Sequence, residues 1–202
     1  MKLNKLEFLA MNNWIRAIIQ EKYEVKILRR LSKLDEIEIA LEIGCGNGAG
    51  AHLIEKYFNP SKLIGVDIDE EMIKRAIEGH QDNDSMEFKV NDASKLGFPD
   101  HYFDAIFCFG AIHHIPNWRD CIYEMKRVLK PGGEIILEDL SIDSFASGIG
   151  KLWRKLFAHP YAEMYTSEDF KKHLIDVGFN NLSYEDFYPL KLIKHFSLSA
   201  NS

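Results

Sequence analysis

The sequence predicts an α/β domain whose sheet is mostly parallel, with helices on both faces. From Ile37 onward, short apolar runs alternate with helical stretches, the pattern left by strands joined through crossover helices. Gly44, Gly46 and Gly48 fall between the first such run and the first such helix, where the backbone must turn tightly. At 202 residues the chain suits one domain, able to bury a core without disulfides or a structural metal.

Taken in order, Phe8, Met11, Ile15, Ile18 and Ile19 recur at helical spacing, and after a charged break Ile27, Leu31 and Leu34 do so again. Residues 1–36 should therefore form two helices. A core over 37–140 follows, with strands at Glu38–Ile43, Lys62–Val66, Met86–Val90, Tyr102–Phe109 and Glu134–Glu138. The helix from Gly48 should stop before Asn59-Pro60, because proline disfavours helical geometry in the residue before it. Asp69 is placed to cap a helix over Glu70–Ile77, and Lys130-Pro131-Gly132-Gly133 ends a third over Asn117–Leu129.

The rhythm breaks over 141–166. Phe145, Ile149, Leu152, Trp153 and Leu156 form an apolar stripe there, flanked by Lys151, Arg154 and Lys155. In the remaining segment, 167–202, a helix over Ser167–Val177 begins at Ser167 as N-cap and stops at Gly178. The runs Asn181–Phe187 and Lys191–Leu198 are separated only by Tyr188-Pro189-Leu190, too few residues for a parallel crossover, so they should pair antiparallel. No repeat or linker marks a second domain.

A net charge of −6 offers no broad positive field, which disfavours sequence-independent binding to nucleic acid. Cys45, Cys108 and Cys121 are odd in number and lack zinc-ligand spacing, which argues against both a disulfide framework and a metal site and suits a reducing cytoplasm. Residues 1–20 are broken by Lys2, Lys5, Glu7 and Arg16, leaving neither a signal-peptide core nor a transmembrane segment.

The chemistry begins at the glycine turn, where backbone N–H groups at a helix start can approach a ligand closely. Asp67 follows the second strand, 19 residues beyond Gly48, where a carboxylate can accept from both hydroxyls of a ribose. Together these indicate a nucleoside cofactor. A nicotinamide dinucleotide would use the same acid, so the two features leave the cofactor open.

The motifs Leu41-Glu42-Ile43-Gly44-Cys45-Gly46-Asn47-Gly48, Gly65-Val66-Asp67-Ile68, Asn91-Asp92-Ala93, Phe103 through His114, and Lys126 through Gly133 resemble, in order and spacing, those of the class I S-adenosylmethionine-dependent methyltransferases, in the branch containing the ubiquinone/menaquinone-biosynthesis type. That resemblance covers about Leu41 to Leu140 and implies a Rossmann-like fold of seven strands with an antiparallel last strand. It implies S-adenosylmethionine as cofactor and S-adenosylhomocysteine as product. Glu42, Gly44, Gly46 and Gly48 would surround the methionine end, Asp67 would hold the ribose, Ile68 would lie on adenine, Asp92 and Ala93 would meet the adenine amine, and Phe109 would floor the sulfonium. The Asn-Pro-Pro-aromatic signature of enzymes acting on planar nitrogens is replaced by Phe109-Gly110-Ala111-Ile112, which disfavours nucleobase acceptors.

Transfer is then an in-line displacement onto a small-molecule acceptor, in which alignment is the protein's main task and no metal is required. A hydroxyl or carbon acceptor would need a base. His113 and His114 are the candidates by position and titration range, and as strand residues they should face opposite ways. The 141–166 insertion has three open readings: a substrate cap using Tyr165, His159 and Tyr161, core packing, or peripheral contact with an anionic membrane through 145–157. A NAD-dependent oxidoreductase would favour Gly-x-Gly-x-x-Gly, whereas residue 49 is Ala. A non-catalytic protein that binds S-adenosylmethionine for regulation is the remaining alternative. Neither the acceptor nor the oligomeric state is written in these motifs.

Overall fold

The computed structural model describes residues 18–146, 150–151, 161–189 and 193–202. Its centre is a seven-stranded sheet in the order β3-β2-β1-β4-β5-β7-β6. The strands are β1 (Ile39–Ile43), β2 (Lys62–Asp67), β3 (Met86–Val90), β4 (Phe103–Phe109), β5 (Leu129–Asp139), β6 (Asn180–Phe187) and β7 (His195–Asn201). The first five run parallel, while β7 is antiparallel to both neighbours, β5 and β6.

Helices cover both faces, so the central strands are apolar almost throughout. One face buries Leu41, Ile43, Ile106, Cys108, Ile135 and Leu137 beneath α4 (Trp118–Val128) and α5 (Ser167–Val177). The other buries Ala40, Ala105, Phe107 and Ile136 beneath α1 (Val25–Leu31), α2 (Ala49–Phe58) and α3 (Glu70–Gly79). Successive residues of β1, β4 and β5 thus serve alternate layers, as a pleated strand requires. The chain goes outward from β1 through β2 to β3, then returns to β4 on the far side of β1. A crevice opens at that switch point, beyond the carboxyl ends of the strands.

Several boundaries differ from the sequence reading. The described part of the N-terminal segment has no break: a π-helical turn, Gln20–Glu24, runs directly into α1. The wider turn rotates the buried face, so Gln20, Glu24, Val25 and Leu28 face inward while Ile27, Leu31 and Leu34 are only half-buried. Lys191, the expected start of the last run, lies outside the described residues, while strand β7 runs on to Asn201, past the expected end at Leu198, because its polar Ser197 and Ser199 belong to the interior. They lie opposite Glu138 and the Glu134 side of β5, and the Ser199 hydroxyl donates to Glu134. Glu134 also accepts from Ser32 Oγ at 2.9 Å and Lys33 N at 3.2 Å, so this fully buried carboxyl is surrounded by donors. Helix α5 is capped by Thr166, whose hydroxyl accepts from Asp169 N, because the predicted cap, Ser167, is already inside the first turn and donates to Asp143.

After β5 a short 3₁₀ turn, Ile142–Phe145, is held by reciprocal bonds between Ser141 and Ser144. Tyr165 is core rather than cap: it is buried against Trp118 and Phe170, with ring centroids 5.0 and 4.5 Å away. His159 and most of the basic apolar stripe lie outside the described residues. Among the described residues, no helix is long and apolar enough to cross a membrane.

Asp104 at the start of β4 ties three elements together. Its carboxylate accepts from Ile39 N at 2.9 Å, Glu38 N at 3.1 Å and Lys130 Nζ at 2.8 Å. Burial pushes its acidity toward the neutral form, but the Lys130 ammonium and the two N–H donors outweigh it and hold the carboxyl below the usual range. The folded protein therefore binds this proton less readily than the unfolded chain, so the stabilisation is full above the unfolded value and is lost as pH falls through the folded one. Asp104→Ala should cost about 2 kcal/mol in urea unfolding at neutral pH, with the gap to wild type narrowing in acid. A gap independent of pH would refute the ionic account.

Candidate active site

At the end of β1 the backbone reverses over three glycines with positive φ, Gly44 (+70°), Gly46 (+53°) and Gly48 (+85°). The N–H groups of Gly44 and Cys45 share one acceptor, Val66 O, at 2.8 and 3.0 Å, which fastens the turn to β2. Gly46 N donates to Asp67 Oδ2 at 2.9 Å, and Asp69 N donates to Asp67 Oδ1 at 2.9 Å. Asp69 caps α3 as expected, by accepting from Glu71 N. Asp67 is thereby released from capping and braces the glycine turn.

A cavity of about 280 Å³ opens above this turn. Glu42, Gly44, Gly46 and Asp67 form its inner wall, and Ile68, Asp92 and Ala93 its outer edge. Phe109 and His114 close the side beyond β4. Of the sequence-derived site residues, Gly48 and His113 lie outside the lining. Gly48 starts α2 and turns toward His80, where a Cβ would come within 2.6 Å of the ring. Ile68 is 53% exposed, an unusual state for isoleucine, and presents an apolar face at the cavity rim. Asp92 accepts from Ser94 N at 2.9 Å and Ser94 Oγ at 2.7 Å, which fixes its carboxylate in a turn.

Glu42 differs from the other acids. It is only 2% exposed, and its Oε2 is buried with no hydrogen-bond partner among the described residues. Burial, and then the nearby Asp67 charge, push its carboxyl well above the usual range. Space for it exists because residue 50 is glycine: a Cβ there would stand 2.0 Å from Glu42 Oε1 and 3.0 Å from the Phe109 ring. The thiols of Cys45 and Cys108 are likewise pushed up by burial, so neither is poised as a nucleophile.

The two histidines lie on a 3₁₀ turn, Ile112–His114, rather than on a strand, so they do not face opposite ways. Their rings approach to 4.1 Å between centroids. His114 reaches the cavity; His113 sits behind it, and its Nδ1 donates to Asp139 at the end of β5. The same carboxylate accepts from Ile112 N at 2.9 Å, His113 N at 3.3 Å and Leu140 N at 2.7 Å, which sets the turn rigidly against β5.

Sequence reasoning missed Gln20, which reaches the cavity wall from the N-terminal helix and carries no motif to reveal it. It also missed Gly50, although the glycine spacing extends to that position, and Asp139, whose sequence context is an ordinary strand end. Away from the cavity, Glu24, Glu138 and His195 bring ligand atoms within 4.8 Å of one another, and His195 Nδ1 contacts Glu138.

The strand order, the glycine turn and the cavity at the switch point define the Rossmann-like fold of S-adenosylmethionine-dependent methyltransferases. Residues 41–137, just under half of the chain, match the methyltransferase-domain family. It is 31% identical over 120 residues to a fatty-acid O-methyltransferase of Mycolicibacterium smegmatis, an alignment covering 58% of this chain and 43% of that protein. It is 28% identical over 171 residues to phosphoethanolamine N-methyltransferase 2 of Caenorhabditis elegans, covering 82% of this chain and 38% of that one. The chain thus spans less than half the length of these two curated relatives. Among solved structures, a SAM-dependent methyltransferase from Aquifex aeolicus superposes with a TM-score of 0.75 at 21% identity, over 99% of both chains.

The turn's dependence on missing side chains is directly testable. A Cβ at Gly44 would lie 2.3 Å from the Ala111 Cβ, at a φ that side chains resist, so Gly44→Ala should lower stability by about 2–4 kcal/mol. A Cβ at Gly79 would meet nothing within 4 Å, so Gly79→Ala should be neutral or gain up to about 1 kcal/mol. Thermal melts giving equal losses for both would remove the steric account.

Proposed function

We propose that this chain transfers a methyl group from S-adenosylmethionine to a small-molecule acceptor. The carrying observation is the pairing of two acids across the glycine turn, Glu42 at the end of β1 and Asp67 at the end of β2, in one cavity. Their chemistry fits the cofactor. Asp67 offers acceptor oxygens to ribose hydroxyls, while the orphaned Glu42 oxygen suits the cationic methionine end. Exposed Ile68 offers an apolar surface for adenine, and Asp92 and Ala93 flank that region.

S-adenosylmethionine supplies an electrophilic methyl on its sulfonium when bound. The chain's own residues then align and enclose. Gly44 and Gly46 allow close backbone approach, Phe109 and Gly50 shape the floor, and the crevice walls limit the acceptor's orientation. Where the acceptor must lose a proton, His114 is the residue at the wall able to take it, with His113 held behind by Asp139. This reading assigns His114 as base and His113 as its positioning residue.

The acceptors named for three relatives, a fatty acid, phosphoethanolamine and 27-O-demethylrifamycin SV, are small molecules. The net charge of −6 favours the same class over nucleic acid. Three cysteines buried as free thiols support a cytoplasmic setting.

Calorimetric titration with S-adenosylmethionine, S-adenosylhomocysteine and NAD tests the cofactor. Both adenosyl compounds should bind and NAD should not; binding of NAD alone would replace this reading with a dehydrogenase. Asp67→Ala should weaken S-adenosylmethionine by about 2 kcal/mol, roughly 30-fold, and unchanged affinity would sink the assigned pocket. With an acceptor that must be deprotonated, His114→Ala should lower kcat roughly 100-fold or more without loss of cofactor affinity, and His113→Ala should do so less. Full turnover in both variants would exclude a histidine base.

A further inference from the structure

Glu42 presents a physical problem that the free protein must solve. Its carboxyl is buried, makes no hydrogen bond among the described residues, and shares its cavity with Asp67, whose carboxyl oxygens accept from Gly46 N and Asp69 N. The titratable residues that line the same cavity are Asp67 at the end of β2, Asp69 and Asp92 in the segments after β2 and β3, Cys45 in the turn and His114 beyond β4, alongside the uncharged Gln20 and the start of α2 at Ala49 and Gly50. Phe107 is the β4 partner of Glu42 in register, and the Phe109 ring shares with it the space beside Gly50. An isolated buried carboxylate costs several kcal/mol, so the group instead keeps its proton.

We propose that Glu42 senses the charge of the cofactor, holding a proton while the pocket is free and releasing it to solvent when the sulfonium of S-adenosylmethionine enters. No covalent bond other than the O–H of the carboxyl is broken. The arriving cation and the new carboxylate neutralise one another in a site from which water is largely excluded. After methyl transfer the sulfur is neutral; the sulfonium charge is gone while the α-ammonium of the methionine end stays, and Glu42 recovers its proton from solvent. Glu42 thereby becomes a specificity-determining residue: it favours the charged methyl donor over the neutral spent product through proton exchange, without requiring a difference in shape. Burial and the Asp67 charge act in the required direction on the free protein.

The sign of the pH dependence follows from linkage. Cation binding lowers the proton affinity of Glu42, so between its bound and free titration points affinity for S-adenosylmethionine should rise with pH, approaching tenfold per unit. Affinity for S-adenosylhomocysteine should rise less steeply. Raising pH should therefore widen the preference for donor over product.

This inference rests on placing the cofactor's methionine end at Glu42, and the experiment separates the two. Wild-type protein and Glu42→Gln, which preserves side-chain size, are titrated by calorimetry with each adenosyl compound, at one pH, in buffers of different ionisation enthalpy. The slope against that enthalpy counts protons released. His114 and the cofactor's amino group remain in the variant and set its baseline.

On binding S-adenosylmethionine, wild type should release close to one proton more than Glu42→Gln, and clearly more than wild type releases with S-adenosylhomocysteine. Equal counts for wild type and variant, or for donor and product, would overturn the proposal. If Glu42→Gln loses affinity while proton counts stay equal, the linkage fails and the pocket assignment stands. If its affinity is unchanged, the pocket assignment fails. The wild-type comparison of the two ligands decides the matter even if the variant does not fold.

Discussion

The sharing of Val66 O by two successive N–H groups, those of Gly44 and Cys45, is the constraint around which the molecule is arranged. It ends β1 abruptly, ties the turn to β2, and starts α2 close to the strand that feeds it. Everything near the turn is then packed to tolerances set by absent side chains. Ala111, from the loop beyond β4, fills the place a Cβ on Gly44 would take, and Glu42 and Phe109 fill the place of one on Gly50. The cavity is thus a consequence of how the backbone closes the first βα unit, and Glu42 and Asp67 are held there by β1 and β2.

Buried charge is distributed unevenly over β5, with different solutions on its two faces. Glu134 is surrounded by hydroxyl and N–H donors from the end of α1 and from β7. Four residues on, Glu138 lies on the same face against Glu24 and His195, while Asp139 turns to the opposite face and holds His113 with three backbone N–H groups. Consecutive acids at one strand end therefore organise two histidine contacts, one on each side of the sheet. The contact on the His113 side stiffens the cavity wall. The other joins the N-terminal helical segment to β7. Glu42 stands apart from all of these because, among the described residues, no donor reaches it.

The central sheet was legible because its signals are local and repeated. Runs such as Ile39–Ile43 and Phe103–Phe109 are apolar on both faces, and glycine or proline marks their ends. The resemblance to the methyltransferase motifs implies one site for Glu42, Asp92 and Phe109, and Asp67 joins them from its position after the second strand; all four line the one cavity at the strand ends. Gln20 and Asp139 could not be read in this way, since their roles arise from tertiary approach. The histidine pair was misread for a related reason: β4 ends at Phe109 as expected, and Gly110, at φ +66°, sends the chain into a 3₁₀ turn, so the alternation of a strand does not extend to the histidines. Ser197 and Ser199 misled the placement of β7 because a serine facing a buried carboxyl looks, in sequence, like a serine facing water.

The strand order carries one more consequence. β6 precedes β7 in the chain, yet among the described residues its only neighbour in the sheet is β7, which itself lies against β5. The earlier segment has nothing to pair with until the later one has docked or has folded back on it as a hairpin. Until then the long edge of β5, with Glu134 and Glu138 on it, stays uncovered, and an open apolar edge invites pairing with other chains. Assembly at this side of the molecule must therefore run against the direction of synthesis, with β6 waiting on β7. The interval between the emergence of β5 and the arrival of β7 is when the unfinished domain is most exposed to aggregation.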